Sequence, residues 1–341
     1  MANDTVSANG HEAQSGRWRS AFCAVFAALA GLTAPTAKAE MPPVIEWYLI
    51  DLPPIQNTTG ELRGQGYTDL IRWRLIAELD GYRHVLRNSN VHRMLHDIKA
   101  KPNICNPAFL HTAEREQFMV YADPLHAQFP NGAAALKSSQ ESVLRDYLDA
   151  DGRLDLDALV DDEVGVVAVQ AGRSYGPGLD EIIARADQRN QLFVITANRP
   201  IETKFGLLAA DRALVSLLYP YEYAYVLRNA DTVSLYDFLP VKGNVPYTLN
   251  HLACSRSPLG VAVIEASNRI IAQERDGYFA AAYRRWLPES LLPLHEAHHL
   301  DAFGSPLQPQ RFEIQPGDEF IAECMLDGGA WYRGSCQKTD H

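Results

Sequence analysis

The chain has 341 residues, of which 47% are hydrophobic and 21% charged, a composition that suits a folded globular protein and excludes a disordered one. Its net charge of −11 at pH 7 argues against nucleic acid and anionic membrane surfaces as partners. A small ligand is not restricted in this way, because local groups decide its binding.

Residues 1–39 read as a signal peptide. Arg17 and Arg19 precede an apolar run over 21–32, and Ala37-Lys38-Ala39 supplies an A-x-A cleavage pattern before Glu40. The run is too short to span a bilayer comfortably. An exported, periplasmic protein is expected. Losing Arg17, Arg19 and Lys38 together with Asp4 and Glu12 leaves 28 basic and 40 acidic side chains. Cys105, Cys254, Cys324 and Cys336 remain, and an even count in an oxidising compartment points to two disulfides with three possible pairings. Cys324 and Cys336 lie close in sequence across Asp327-Gly328-Gly329, and the expected pairing is 324–336 with 105–254. Their spacing matches no zinc motif, and no metal or other cofactor is expected.

In chain order, 44–50 reads as a largely buried strand closed by Pro53-Pro54, followed by a glycine-bearing loop over 60–66. Thr68 is placed to cap a helix whose buried stripe is Ile71, Leu75 and Leu79. Gly81 ends that helix. A short strand over 84–86, a helix with Val91, Leu95 and Ile98 inward, and a strand over 104–110 come next. This is the grammar of a parallel α/β sheet. Phe129 to Asp162 is small, polar and acidic. Its run Asp149 to Asp155 fails as a calcium loop, since Tyr147 and Ala158 would occupy the first and twelfth ligand positions. A second block opens with a strand over 164–169 ending at Gly172, and a helix carries Leu179, Ile182, Ile183 and Ala186 on one face. Strands over 192–196 and 214–218 follow. Pro240, Gly243 and Pro246 punctuate an extended segment before a strand over 247–253. Two amphipathic helices use Val263, Ile264, Ile270 and Ile271, then Phe279, Tyr283 and Trp286. The rest, to His341, reads as loop-rich with a β-hairpin.

Arg115 stands in Thr112-x-x-Arg115, just after a strand, where an arginine can meet a carboxylate or phosphate with two parallel hydrogen bonds. The plainer alternative is a surface arginine paired with Glu114 or Glu116. The order of features shifts the balance: the strand running into Pro54, Gly66-Tyr67-Thr68-Asp69, Thr112-x-x-Arg115 with Asp123-Pro124, Val164 to Gly172, and Gly277 before a helix ending at Trp286. Over Val44 to Trp286 the chain resembles the family 3 extracellular solute-binding proteins, which have the type II periplasmic-binding-protein fold. It looks closest to a branch with one cysteine before the Thr-x-x-Arg segment and another on the returning strand.

The resemblance implies an α/β protein of two lobes, each a mainly parallel sheet flanked by helices, joined by two crossover segments. Lobe 1 would comprise 40–125 and 241–288, lobe 2 126–240, and 289–341 a C-terminal extension. It places the returning strand beside the third, which would bring Cys105 and Cys254 together. It also implies a small anionic or amino-acid-like ligand held in the cleft, with a membrane permease or a sensor as partner. Arg115 and Thr112 would take the ligand's carboxylate from lobe 1, and Arg173 and Ser174 would face it from lobe 2. Leu52, Pro54, Ile55, Tyr67 and Tyr219 are wall candidates, with Trp47 more simply a core residue. The chain departs from the family pattern where it matters for ligand choice. The aspartate that usually holds an amino acid's ammonium falls near Tyr219, the aromatic usual before the loop proline is Leu52, and Ala108 and Leu110 replace serines.

A rival reading comes from Gly172-Arg173-Ser174-Tyr175-Gly176, which matches the G-x-S-x-G nucleophile elbow between a strand and a helix. Asp231 or Asp237, with His251, His295 or His298, would keep the order a serine hydrolase needs. No His-Gly-Gly-type oxyanion segment precedes Ser174. His295-Glu296-Ala297-His298-His299 has metal-ligand spacing, but no further ligand is evident, so a solvated loop is the expectation there.

Overall fold

The computed structural model describes residues 41–197, 199–228, 235–309, 313–314 and 316–338. The expected signal peptide and Asp231 lie outside them. The first block runs β1 (Val44–Ile50), α1 (Tyr67–Glu78), β2 (Arg83–Ser89), α2 (Val91–Ala100), β3 (Ile104–Leu110), the short α3 (Ala113–Glu116) and β4 (Met119–Gln128). The second holds β5 (Gly132–Leu136), α4 (Lys137–Glu141), α5 (Leu156–Asp161), β6 (Val167–Gln170), α6 (Pro177–Gln188), β7 (Leu192–Ile195), α7 (Pro200–Ala209), β8 (Val215–Leu218), α8 (Pro220–Arg228) and β9 (Tyr236–Leu239). The chain then returns through β10 (Thr248–Ser255), α9 (Pro258–Glu274), α10 (Ala280–Arg284), α11 (Leu292–Phe303), α12 (Pro316–Leu326), β11 (Ala330–Tyr332) and β12 (Ser335–Gln337).

These strands make two sheets, in the orders β12-β11-β2-β1-β3-β10-β4 and β7-β6-β8-β5-β9. Each has a parallel three-strand core, β2-β1-β3 and β7-β6-β8, and antiparallel strands complete both. The sheets are therefore mixed rather than mainly parallel. Helices on both faces explain why β1 buries Ile45, Trp47, Tyr48 and Leu49 with no inside–outside alternation. The chain passes between the sheets after β4 and again between β9 and β10. Strand β4 pairs with β10 as far as Gln128, so the first sheet extends past the expected boundary at Leu125.

Several local expectations change. Gly66, not Thr68, is the cap of α1, and it must be glycine there, since a Cβ would stand 2.4 Å from the Ile55 carbonyl oxygen. Thr68 lies inside the helix and its hydroxyl donates to that same carbonyl. The Asp69 carboxylate instead takes the N–H groups of Gly66 and Asn57 and pairs with buried Arg72. Strand β5, Gly-Ala-Ala-Ala-Leu, carries no β-branched or aromatic signal. It forms because Ala133, Ala134 and Ala135 fit fully buried between β8 and β9.

The segment after Trp286 is not loop-rich. Helix α11 buries His295 and His299, and α12 packs by α1 through an Arg74–Asp318 ion pair, with Arg63 before α1 paired to Asp327 just after α12. The expected hairpin is β11–β12, joined to the β2 edge at Trp331 and His84. Cys324 is bonded to Cys336, and Cys105 on β3 to Cys254 opposite it on β10.

Candidate functional site: a cavity between the two sheets

Between the lobes lies a cavity of about 90 Å³. Lobe 1 lines it with the loop after β1 (Ile50, Leu52, Ile55), with Val91, Met94 and Leu95 of α2, and with β3 and Arg115. Lobe 2 closes it with Gln170 and the Gly172-Arg173-Ser174 loop after β6, and with Tyr219 and Tyr221 at the start of α8. Val91 and Leu95 thus belong to the cleft as much as to the helix core. Gly172 adopts φ +72°, and an added Cβ would lie 3.3 Å from Val91 Cγ1 and 3.5 Å from His92 Cε1. Close approach of the two lobes here needs the small residue.

The lobes also meet through a buried aromatic cluster. Tyr67 at the start of α1 is edge-on to Tyr221, with their hydroxyls 3.2 Å apart, and Tyr221 stacks on Tyr219. Tyr67 also meets His126 and Tyr283 edge-on, and the Tyr283 hydroxyl accepts the Phe129 N–H in the first crossover. Burial pushes the Tyr67 and Tyr219 phenols up, keeping both neutral.

The two arginines of the cavity differ in kind. Arg115 is half-buried; Thr112 caps its short helix by accepting the Arg115 backbone N–H, and the guanidinium reaches the Leu110 carbonyl at 3.4 Å over the Phe109 ring. No carboxylate lies within ion-pair distance of it among the described residues, so neither Glu114 nor Glu116 is its partner. Arg173 makes two hydrogen bonds to Glu222, at 2.7 and 3.0 Å, and its guanidinium lies 4.6 Å from the Tyr219 ring. Burial opposes charge on both groups, yet their mutual attraction holds Glu222 below the usual carboxylate range and Arg173 above the usual arginine range.

Of the residues singled out from sequence, Arg115, Leu52, Ile55, Tyr67, Arg173, Ser174 and Tyr219 come together around this cavity. Thr112 serves as a helix cap, and Pro54 is buried with its carbonyl accepting the Tyr67 N–H; neither lines the cavity. Trp47 is a core residue bonded to His84 Nδ1. Sequence reasoning missed Asn106, Gln128 and Asn250, three carboxamides on β3, β4 and β10. A carboxamide inside an otherwise apolar strand, such as Asn106 in 104–110, was the available signal.

Ser174 donates to Asp180 Oδ2 at 2.6 Å and bonds no histidine among the described residues. His251 and His295 bond the Ala122 and Ala127 carbonyls, and Asp237 faces Lys137. A charge-relay arrangement around Ser174 is not formed among the described residues. The 295–299 histidines sit on a packed helix rather than a solvated loop, and no cluster of metal-ligating side chains occurs among the described residues.

The sequence matches no family model and no curated protein. Solved structures do match it. An ancestral arginine-binding protein bound to arginine superposes with a TM-score of 0.54 at 13% identity, over 73% of this chain and 100% of that one. A mutant of ArgBP from T. maritima gives 0.52 at 16%, over 71% and 94%. The BvgS periplasmic VFT2 domain of Bordetella pertussis gives 0.52 at 16%, over 72% and 94%. The chain has the two-lobed fold of the periplasmic binding proteins, as the sequence resemblance implied.

Proposed function

We propose that this protein is an exported solute-binding protein that captures a small carboxylate-bearing ligand between its lobes, for delivery to an ABC-type transporter. One observation carries the reading: the Arg115 guanidinium lines an interlobe cavity with no counter-ion among the described residues. A planar guanidinium left open in a mostly apolar cleft suits a carboxylate. A ligand touching both lobes favours the closed arrangement by its differential affinity, which couples capture to lobe closure. The fold shared with arginine-binding proteins supports solute capture, and the likeness to a histidine kinase sensor domain, with a TM-score of 0.52 at 16% identity, makes a signalling receptor the other partner class to test. Two disulfides suit an oxidising compartment. Ligand at 100 times its Kd should raise unfolding stability by about 2.7 kcal/mol. Thermal-shift screening of small organic acids, amino acids and short peptides against the mature protein tests this. Binding that survives Arg115→Ala at full strength would remove Arg115 from the site.

A further inference from the structure

Three neighbouring strands of the first sheet, β3, β10 and β4, each present one carboxamide to the cavity: Asn106, Asn250 and Gln128. The carboxamide oxygen of each is buried and has no hydrogen-bond partner among the described residues. For Asn106 the orientation is set chemically. Its Nδ2 donates to the Tyr48 carbonyl at 2.8 Å, which only the NH₂ can do, so Oδ1 is the atom left over. Buried acceptors are rarely left unmade, so such oxygens call for donors from outside the protein.

Charge narrows what those donors can be. Arg115 is a cation with no counter-ion among the described residues, and Arg173 and Glu222 neutralise each other. Asp51 lines a neighbouring opening rather than this cavity, and accepts the N–H and hydroxyl of Thr58. No uncommitted carboxylate lines the cavity among the described residues. A ligand ammonium would shed its hydration beside an arginine with only amide dipoles to face it. A hydroxyl or amide N–H makes the same hydrogen bond without that desolvation cost.

Resting on the binding reading above, we infer that the cavity selects a monoanionic carboxylate carrying a neutral hydrogen-bond donor, read by Asn106 Oδ1, over a zwitterionic amino acid. Leu52, Ile55, Met94 and Phe109 suit an apolar body on that ligand.

Calorimetric titration at pH 7 with two matched series tests this: 2-hydroxy-4-methylpentanoate, leucine and 4-methylpentanoate, then 3-phenyllactate, phenylalanine and 3-phenylpropanoate. In at least one series the hydroxy acid should bind roughly 10-fold or more tighter than both relatives. Asn106→Ala should erase its advantage over the unsubstituted acid, whereas Arg115→Ala should weaken every acid. The wild-type ranking decides even if a variant fails to fold. Amino acids binding as tightly as hydroxy acids, or hydroxy and unsubstituted acids binding alike, overturns the inference while leaving carboxylate capture standing. A hydroxy-acid preference that survives Asn106→Ala removes Asn106 as its reader. No binding by any acid in either series brings down the capture reading, and this inference with it.

Discussion

The two walls of the cleft are built from the same kinds of residue put to opposite uses. On lobe 2 the charged and hydroxyl groups of the loop after β6 are spent internally, Arg173 on Glu222 and Ser174 on Asp180, and the Tyr219 N–H goes to Glu222 as well. On the wall made by the first sheet, Arg115 has no counter-ion and the carboxamide oxygens of Asn106, Asn250 and Gln128 have no partner among the described residues. Lobe 2 thus offers a rigid aromatic and ionic surface, while lobe 1 offers groups that can respond to a ligand. The covalent staples follow the same division. Both disulfides lie in or against the first sheet, and the stretch 129–240 contains no cysteine.

Breaking the staples should give the largest effect. Cys105–Cys254 closes a loop spanning 149 residues, so Cys105→Ala with Cys254→Ala should cost ~5 kcal/mol in urea unfolding, against ~3 kcal/mol for the 12-residue Cys324–Cys336 loop. Equal costs would mean that loop length is not what sets these contributions. Next comes the internal ion pair. Glu222→Gln leaves Arg173 buried beside a neutral partner and should lower stability by about 3–5 kcal/mol, measured by the same denaturation.

The lobes should also answer pH in different ranges. Burial lowers His126, on β4, to about 3 and His295, on α11 beside that strand, to about 4. The unfolded chain takes up these protons near pH 6.5 while the folded one does not, so stability falls as pH drops from there through about 4. The slope should be up to ~1.4 kcal/mol per pH unit for each histidine. In lobe 2, burial lowers Lys204 to about 7, and its Nζ lies over the Tyr175 ring. Between pH 7 and the ordinary lysine range only the unfolded chain holds that proton, so stability rises with pH there. Denaturation midpoints should lose the acid limb partly in His295→Gln and the alkaline limb in Lys204→Met; an unchanged alkaline limb would exclude Lys204 as its source. Arg115→Ala is expected to move stability least, within about 0.5 kcal/mol, because the side chain makes one weak hydrogen bond, and yet to abolish ligand stabilisation in a thermal-shift assay.

Much of the frame was legible because apolar runs and their periods report local burial. The strands at 44–50 and 104–110, a strand expected at 164–169 that forms at Val167–Gln170, the stripe on α6, and the placing of Arg115 after a strand all follow from that. Strand β5 was not legible, since alanine fits a crowded sheet interior but carries no strand signal. Helices α7 and α8, and the burial of the 295–299 histidines, depend on partners far along the chain.

The sequence by itself determined the two-block α/β order and the presence of an arginine, a tyrosine and a serine at the ends of particular strands. Only the tertiary structure decided which of them remain available. Arg115 and Arg173 look alike as residues following strands, but Glu222, 49 positions after Arg173, folds back to neutralise one and leaves the other open. A charge is committed by what packs against it, and that contact lies beyond the reach of local pattern.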